Sequence, residues 1–237
     1  MFLKNSIVAM VLLSAASQAY AAEPAPPWKG EAELGVVSTS GNTENTSIKV
    51  RANVVNVQDN WRHTAKFDAL NTSTATAITS ERYALSGKSD YKFDDRSFAF
   101  GLLGYENDRF AGFDSRISEV LGYGYRAINQ DDLTLDLEIG PGARQTKLRN
   151  NTSSNEFMGY LAGKLLWKFS PSASLSEDLT SEVGEDTTIT RSVTALTAQL
   201  AGSLAMKLSF TARHISKVPA LVKSKDTETA MTLVYGF

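Results

Sequence analysis

The chain has 237 residues, 42% hydrophobic and 21% charged, with a formal charge of −2 and no cysteine. That length fits one large domain or two small ones. The missing cysteine excludes disulfides, thiol catalysis and thiolate-bound metal, and the balanced charge gives nucleic-acid binding no basic surface to start from.

The first segment has the layout of a secretory signal peptide. Lys4 supplies a positive charge, residues 7–16 form an apolar block, and Ala19 and Ala21 place small residues before a cleavage point after Ala21. The block runs into a proline-rich stretch, Pro24, Pro26 and Pro27, which cannot extend a helix. Residues 1–21 are therefore expected to be a signal peptide, 22–27 a short linker and 28–237 one β-barrel domain. Beyond the first segment no run approaches the ~18 unbroken apolar residues of a spanning helix.

From Trp28 onward the chain reads with period two. Ile48, Val50, Ala52 and Val54 alternate with Ser47, Lys49, Arg51 and Asn53; Trp61, Ala65 and Phe67 with Arg62, Thr64, Lys66 and Asp68; Leu133, Leu135, Leu137 and Ile139 with Thr134, Asp136 and Glu138. Such alternation marks half-buried strands. It predicts twelve of them: 28–38, 45–56, 61–71, 81–93, 97–107, 115–128, 133–144, 156–169, 173–183, 188–201, 206–216 and 226–237, with 188–201 ambiguous in phase.

The joints between these runs alternate in length. Tight ones fall at Val57–Asn60, Asp94–Arg96, Asn129–Asp132, Ser170–Ser172 and Gly202–Ala205. Longer ones fall at Thr39–Glu44, Thr72–Ser80, Asp108–Asp114, Gln145–Asn155, Gly184–Thr187 and Lys217–Lys225. In an up-and-down barrel every second hairpin emerges at the same rim, and bacterial outer-membrane barrels keep their short turns on the periplasmic side. The runs are also longer than soluble strands and match the ~9–11 tilted residues that cross a bilayer. A soluble β-sandwich would favour shorter strands. The expected fold class is therefore all-β: a transmembrane antiparallel up-and-down barrel of about twelve strands in the outer membrane.

Aromatic residues reinforce this. Trp28, Trp61, Phe93, Phe98, Tyr125, Trp167, Phe169, Tyr235 and Phe237 fall near strand ends assigned to the short-turn rim, where an interfacial belt is expected. Leu233, Tyr235 and Phe237 end the chain on alternating apolar residues, the pattern of a terminal assembly signal for the outer-membrane barrel assembly machinery.

Several motifs carry a resemblance: WKGEAELG at 28–35, SGNT at 40–43, Tyr83 with SDY at 89–91, YENDRF at 105–110, GYGYR at 122–126, LDLEIGPG at 135–142 and the Phe237 terminus. Across the mature chain they resemble the proteins labelled salt-induced outer-membrane proteins, a family of unknown function. The resemblance implies an outer-membrane barrel and supplies no substrate and no catalytic residue.

Chemistry-bearing constellations are sparse. His63 and His214 are the two histidines, and alternation turns both toward lipid or a rim, away from the lumen. Asp94–Asp95 and Asp131–Asp132 sit in tight joints, where aspartate serves the local backbone; Glu185–Asp186 is a weaker candidate for divalent cations. The Gly122–Tyr125 and Gly140–Gly142 segments lack the features of phosphate loops and read as close packing or strand kinks. No cofactor, metal or enzymatic activity is expected.

One face of the strands is charged, and hydrocarbon would penalise a midplane Lys or Arg by about 2–4 kcal/mol. Alternation turns these residues into the lumen: Lys49, Arg51, Lys66, Asp68, Arg82, Lys88, Arg126, Asp136, Glu138, Lys164, Lys207, Arg213 and Glu228, with Lys29, Glu31, Glu33, Arg62, Asp90, Arg144, Asp178 and Glu182 beside them. Twelve strands lie between filled eight-stranded barrels and open 16–18-stranded porins. The expectation is a monomeric, water-containing narrow pore for small polar solutes or ions, linked to salt or envelope stress. The expected contacts are outer-membrane lipid and lipopolysaccharide. The alternative is an envelope-integrity barrel whose ion pairs plug the interior.

Overall fold

A computed structural model describes residues 28–40, 45–73, 78–108, 113–149, 152–218 and 222–237. The expected signal peptide and linker lie outside the described residues, as do the centres of several joints.

Twelve strands form in chain order: β1 (Trp28–Ser40), β2 (Asn45–Gln58), β3 (Trp61–Ser73), β4 (Ile78–Lys92), β5 (Ser97–Asp108), β6 (Phe113–Asn129), β7 (Leu133–Leu148), β8 (Ser153–Ser170), β9 (Ala173–Gly184), β10 (Thr188–Ala201), β11 (Leu204–Ile215) and β12 (Lys225–Gly236). Each pairs antiparallel with its sequence neighbours, and β1 pairs with β12 from Glu31–Gly236 to Ser40–Thr227, closing the barrel. Closure leaves no unpaired edge, the condition for a sheet to exist in lipid.

Alternation sets the two faces. Outside, Leu34, Val36, Ile48, Leu85, Leu103, Leu121, Ile139, Leu161, Leu208, Met231 and Leu233 are exposed. Inside, Glu33, Lys49, Asp90, Glu138, Arg144 and Glu228 are buried. This inverts the arrangement of a water-soluble protein and suits a barrel with lipid around it and water or ion pairs within.

The aromatic belt surrounds the rim that carries the termini. Trp61 packs edge-on against Tyr91 at 5.0 Å, Tyr91 against Phe93 at 5.6 Å, and Trp167 against Phe169 at 5.5 Å. Phe98 departs from the expected belt. It is buried and points inward with Phe100 and Leu102, while Ala99, Gly101, Leu103 and Tyr105 form the outer face of β5. Both faces of this strand are apolar until Glu106, so alternation alone does not assign their sides.

The joints also differ from expectation. At the rim opposite the termini, β7 runs to Leu148 and β8 starts at Ser153, so most of 145–155 is strand, with Gln145 paired to Asn155 and Lys147 to Ser153. Polar residues outside the hydrocarbon zone keep the ladder without an apolar face, and their polarity imitates a loop. The contrast between rims is therefore weaker than the sequence suggests; between the described strand ends the widest gap runs from Ile215 to Lys225. Asp59 and Gly202, with φ of 50° and 53°, begin two-residue hairpin turns at the terminal rim, where a positive φ matches the strand twist. The Asp94 joint is an aspartate turn: its Oδ1 accepts N–H bonds from Arg96 (2.7 Å) and Ser97 (2.8 Å), which hold its carboxyl below the usual range.

Glycines mark where the inner wall is tightest. The Phe98 and Phe100 rings lie over Gly124 and Gly122, where a Cβ would come within 2.1 and 2.5 Å of ring carbons. Pairing between β6 and β7 is interrupted at Leu121–Gly122, opposite Gly140–Pro141, and a Cβ on Gly140 would lie 2.1 Å from the Leu121 carbonyl oxygen and 2.6 Å from the Gly122 Cα. Both obstacles are backbone. Gly140→Ala is expected to cost about 1–3 kcal/mol through overpacking, visible as a lower urea midpoint of the refolded barrel. A midpoint equal to wild type would show that the strands separate freely there.

Candidate functional site

The interior is the one place where this fold concentrates chemistry. Every strand contributes at least one inward charge, and the strand ladders bring those positions together in layers.

On the β1–β4 and β11–β12 side, Lys49 (1% exposed) pairs with Glu228 and lies 3.4 Å from Asp68. Arg82 bridges the same two carboxylates, at 2.8 Å to Glu228 and 3.4 Å to Asp68. Arg51 Nε donates to Asp68 at 3.0 Å. Lys207 reaches Glu33 at 2.6 Å, and Thr232 Oγ1 donates to the other Glu33 oxygen.

A second group lies nearer the terminal rim. Lys88 contacts Asp90 and Glu138 at 2.7 Å, and Lys164 contacts Glu138 at 2.8 Å. Arg62 pairs with Asp90 at 2.6 Å, and Arg126 makes a two-pronged contact with Asp136 at 2.7 and 2.9 Å. The Lys88 ammonium sits 5.0 and 4.6 Å from the ring centres of Phe98 and Phe100. Those rings belong to an interior apolar cluster with Val120, Met158, Tyr160 and Ala162.

Toward the opposite rim, Arg144 (1% exposed) binds Glu156 at 2.6 Å, Glu182 at 3.0 Å and the Thr187 carbonyl. The longest reach joins β11 to β5: Arg213 donates to both carboxylate oxygens of Glu106, at 2.8 and 3.1 Å. Arg116 stands 3.8 Å from Glu106 and over the Phe113 ring at 4.1 Å.

These pairs do not fill the barrel. A cavity of about 870 Å³ runs between the rims, from Glu31, Asp90 and Asp136 to Thr39, Ser40 and Asp108. A second cavity of about 420 Å³ opens at the terminal rim beside Lys29, Gln199 and Gly236. The two share Glu31, Asn53 and Val55 in their walls.

Of the residues assigned to the lumen by alternation, Arg51, Lys66, Asp68, Arg82, Lys88, Asp136, Glu138, Lys164, Lys207, Arg213 and Glu228 line the larger cavity. Lys49 lies inward behind Glu228 and Asp68, and Arg126 lies beside Asp136 toward the terminal rim. Glu106, Arg116, Glu156 and Arg191 also take part. Arg191 belongs to the strand whose phase was ambiguous; its inward neighbours Ile189 and Ala195 are buried, while Leu196 is exposed. A register shift between Phe113 and Ser115 places Phe113 on the same face as Arg116.

Among the described residues, Glu119 and Glu177 are carboxylates that face outward in the middle of their strands. Glu119 shares the outer face of β6 with Ile117 and Leu121. Glu177 shares that of β9 with Leu179 and Val183, and accepts hydrogen bonds from Ser192 Oγ at 2.6 Å and Thr194 Oγ1 at 2.5 Å. The hydroxyls supply donors that acyl chains lack.

Both histidines are exposed on the outer face. His63 stacks on Trp61 and its Nδ1 lies 2.9 Å from Ser89 Oγ. The pair has the spacing of a base and nucleophile, but Ser89 is mid-strand between ladders to β3 and β5, which occupy the backbone N–H groups an oxyanion would need. Among the described residues no group of three His, Asp or Glu side chains is placed to hold a metal.

The terminal residues close the seam. Phe237 N–H donates to the Gly30 carbonyl at 2.9 Å, and Gly30 N–H returns a bond of 2.8 Å. The Phe237 ring covers Gly30, while Leu233 and Tyr235 point outward.

Solved structures with this architecture include the NanC porin in a rhombohedral crystal form, with a TM-score of 0.60 and 10% identity over 86% of this chain and 98% of that one. The KdgM porin in complex with disordered oligogalacturonate has a TM-score of 0.50 and 13% identity, covering 87% and 99%. At such identities the likeness is one of fold. The uncharacterized protein YdiY of Escherichia coli (strain K12) is 27% identical over 216 residues, 89% of this chain and 83% of that protein. A family model described as protein of unknown function, DUF481, matches residues 32–237. The resemblance seen in the motifs thus leads to a family without an assigned activity, and the chain belongs to that DUF481 family.

Proposed function

We propose that the protein resides in the bacterial outer membrane as a narrow, mixed-charge pore for small polar solutes or ions. The observation that carries this reading is the interior cavity of about 870 Å³, whose wall joins that of the mouth cavity at Glu31, Asn53 and Val55. An exposed apolar exterior needs lipid around it, and a charged interior needs water. The signal peptide cleaved after Ala21, insertion by the barrel assembly machinery through the Leu233, Tyr235 and Phe237 terminus, contact with lipopolysaccharide, a monomeric state and a link to salt or envelope stress complete the proposal.

The test is osmotic swelling of proteoliposomes in solutes of graded size. Entry of small polar solutes with a steep size cut-off is expected; swelling no faster than in empty vesicles would reject the pore. That result would favour the second reading, a plugged envelope-integrity barrel, which rests on the ion pairs crossing the lumen.

The His63–Ser89 pair gives a lipid-hydrolase reading its one foothold. Fatty-acid release from phospholipid vesicles is expected to be absent in wild type. Release that His63→Ala abolishes would make the protein an enzyme.

A further inference from the structure

Most lumen charges cancel in pairs, so those left over are informative. Lys66 on β3, Asp178 on β9 and Arg191 on β10 all line the larger cavity. Among the described residues, none of the three has an opposite charge within 4 Å or a side-chain hydrogen bond, whereas Lys88, Lys164, Lys207, Arg82 and Arg213 are each matched. Lys66 is exposed to the lumen although it sits in the middle of its strand. Asp178 pairs across the ladder with Val193, two places from Arg191 on the same inward face of β10, and Lys66 interacts electrostatically with Asp178 as well as with Lys164, Arg51 and Arg191, so the three address a common space.

Charges held in a confined space without partners incur desolvation that is offset only by water or a ligand. Two cations and one carboxylate leave an excess of one positive charge. Tyr160 and Leu102, in the wall of the same cavity, add an apolar surface. Concave surfaces with few convergent polar groups and an apolar wall are where small molecules bind.

We propose that Lys66, Arg191 and Asp178 form a mid-lumen binding site for a small organic carboxylate that also carries hydroxyl or ammonium donors. The two cations take the ligand's carboxylate, and Asp178 accepts from its donors. As a step in transport the site rests on the pore reading; as a binding site it stands apart from it.

The test is calorimetric titration of sodium gluconate into detergent-refolded protein at low ionic strength, with sorbitol as the uncharged control. Saturable gluconate binding is expected, with no binding of sorbitol. Lys66→Gln and Arg191→Gln are each expected to weaken it tenfold or more, and Lys66→Arg to restore most of it. Asp178→Asn keeps an acceptor, removes a negative charge and is expected to tighten gluconate several-fold, a gain that mere structural damage would not give. Heat-modifiable gel mobility confirms that each variant is folded. No saturable binding to wild type, or wild-type affinity in both glutamine variants, would overturn the site. Vesicle swelling by the same preparations separates the two ideas: binding without swelling removes the pore and keeps the site, and swelling without binding does the reverse.

Discussion

Cutting the Arg213–Glu106 bridge is expected to raise solute permeability several-fold. β5 and β11 lie six places apart around a closed ring of twelve strands, so this pair spans the widest separation the barrel allows. Its two hydrogen bonds of 2.8 and 3.1 Å hold both side chains extended across the lumen. Arg213→Ala removes the longer arm and leaves Glu106 beside Arg116, at 3.8 Å, so no carboxylate is stranded and the fold should survive. Proteoliposome swelling measures the effect directly: Arg213→Ala vesicles should swell faster than wild type and admit larger solutes. An unchanged rate and cut-off would show that the narrowest section lies elsewhere, with the Lys88–Glu138–Lys164 group as the next constriction to test.

Glu228→Ala is expected to be the most damaging single change to stability among the lumen charges. Glu228 neutralises Lys49, which is 1% exposed, and also receives Arg82 at 2.8 Å. Removing it leaves Asp68, at 3.4 Å from each cation and already engaged by Arg51, to serve both. Breaking a buried pair by deleting one partner costs about 3–5 kcal/mol because the remaining charge stays desolvated. Urea unfolding of the refolded barrel should show a loss of that order for Glu228→Ala. Glu228→Ala combined with Lys49→Met should recover a large part of it, since the stranded ammonium is then gone. A loss below about 1 kcal/mol would mean that water reaches Lys49 freely.

The fold was legible in the sequence because a lipid-facing barrel writes itself in period two. Ile48, Val50, Ala52 and Val54 can face acyl chains only if Lys49, Arg51 and Asn53 face inward. Where that contrast disappears, so does the reading. Phe98, Phe100 and Leu102 alternate with Ala99, Gly101 and Leu103, apolar on both faces, so the inner aromatic cluster leaves no alternation signal. On β10, Thr190, Ser192 and Thr194 face lipid while Val193 and Ala195 face inward, so local polarity gave Arg191 no side. Glu177 breaks the rule outright, and two hydroxyls from the neighbouring strand explain how it is tolerated. The candidate site was harder to see. Which charges point inward follows from alternation, but which of them lack partners depends on contacts across the lumen. The distance from Arg213 to Glu106 is 107 positions in the chain, and nothing local encodes it.

Water and ions are expected to pass between the two rims through the gaps that the ion pairs leave. Planar-bilayer recording of the refolded wild-type protein measures this most directly. Discrete, small conductance steps above background are expected once the protein inserts. A bilayer that takes up folded barrels, shown by their recovery from the membrane, yet stays silent at every applied voltage would contradict an open lumen.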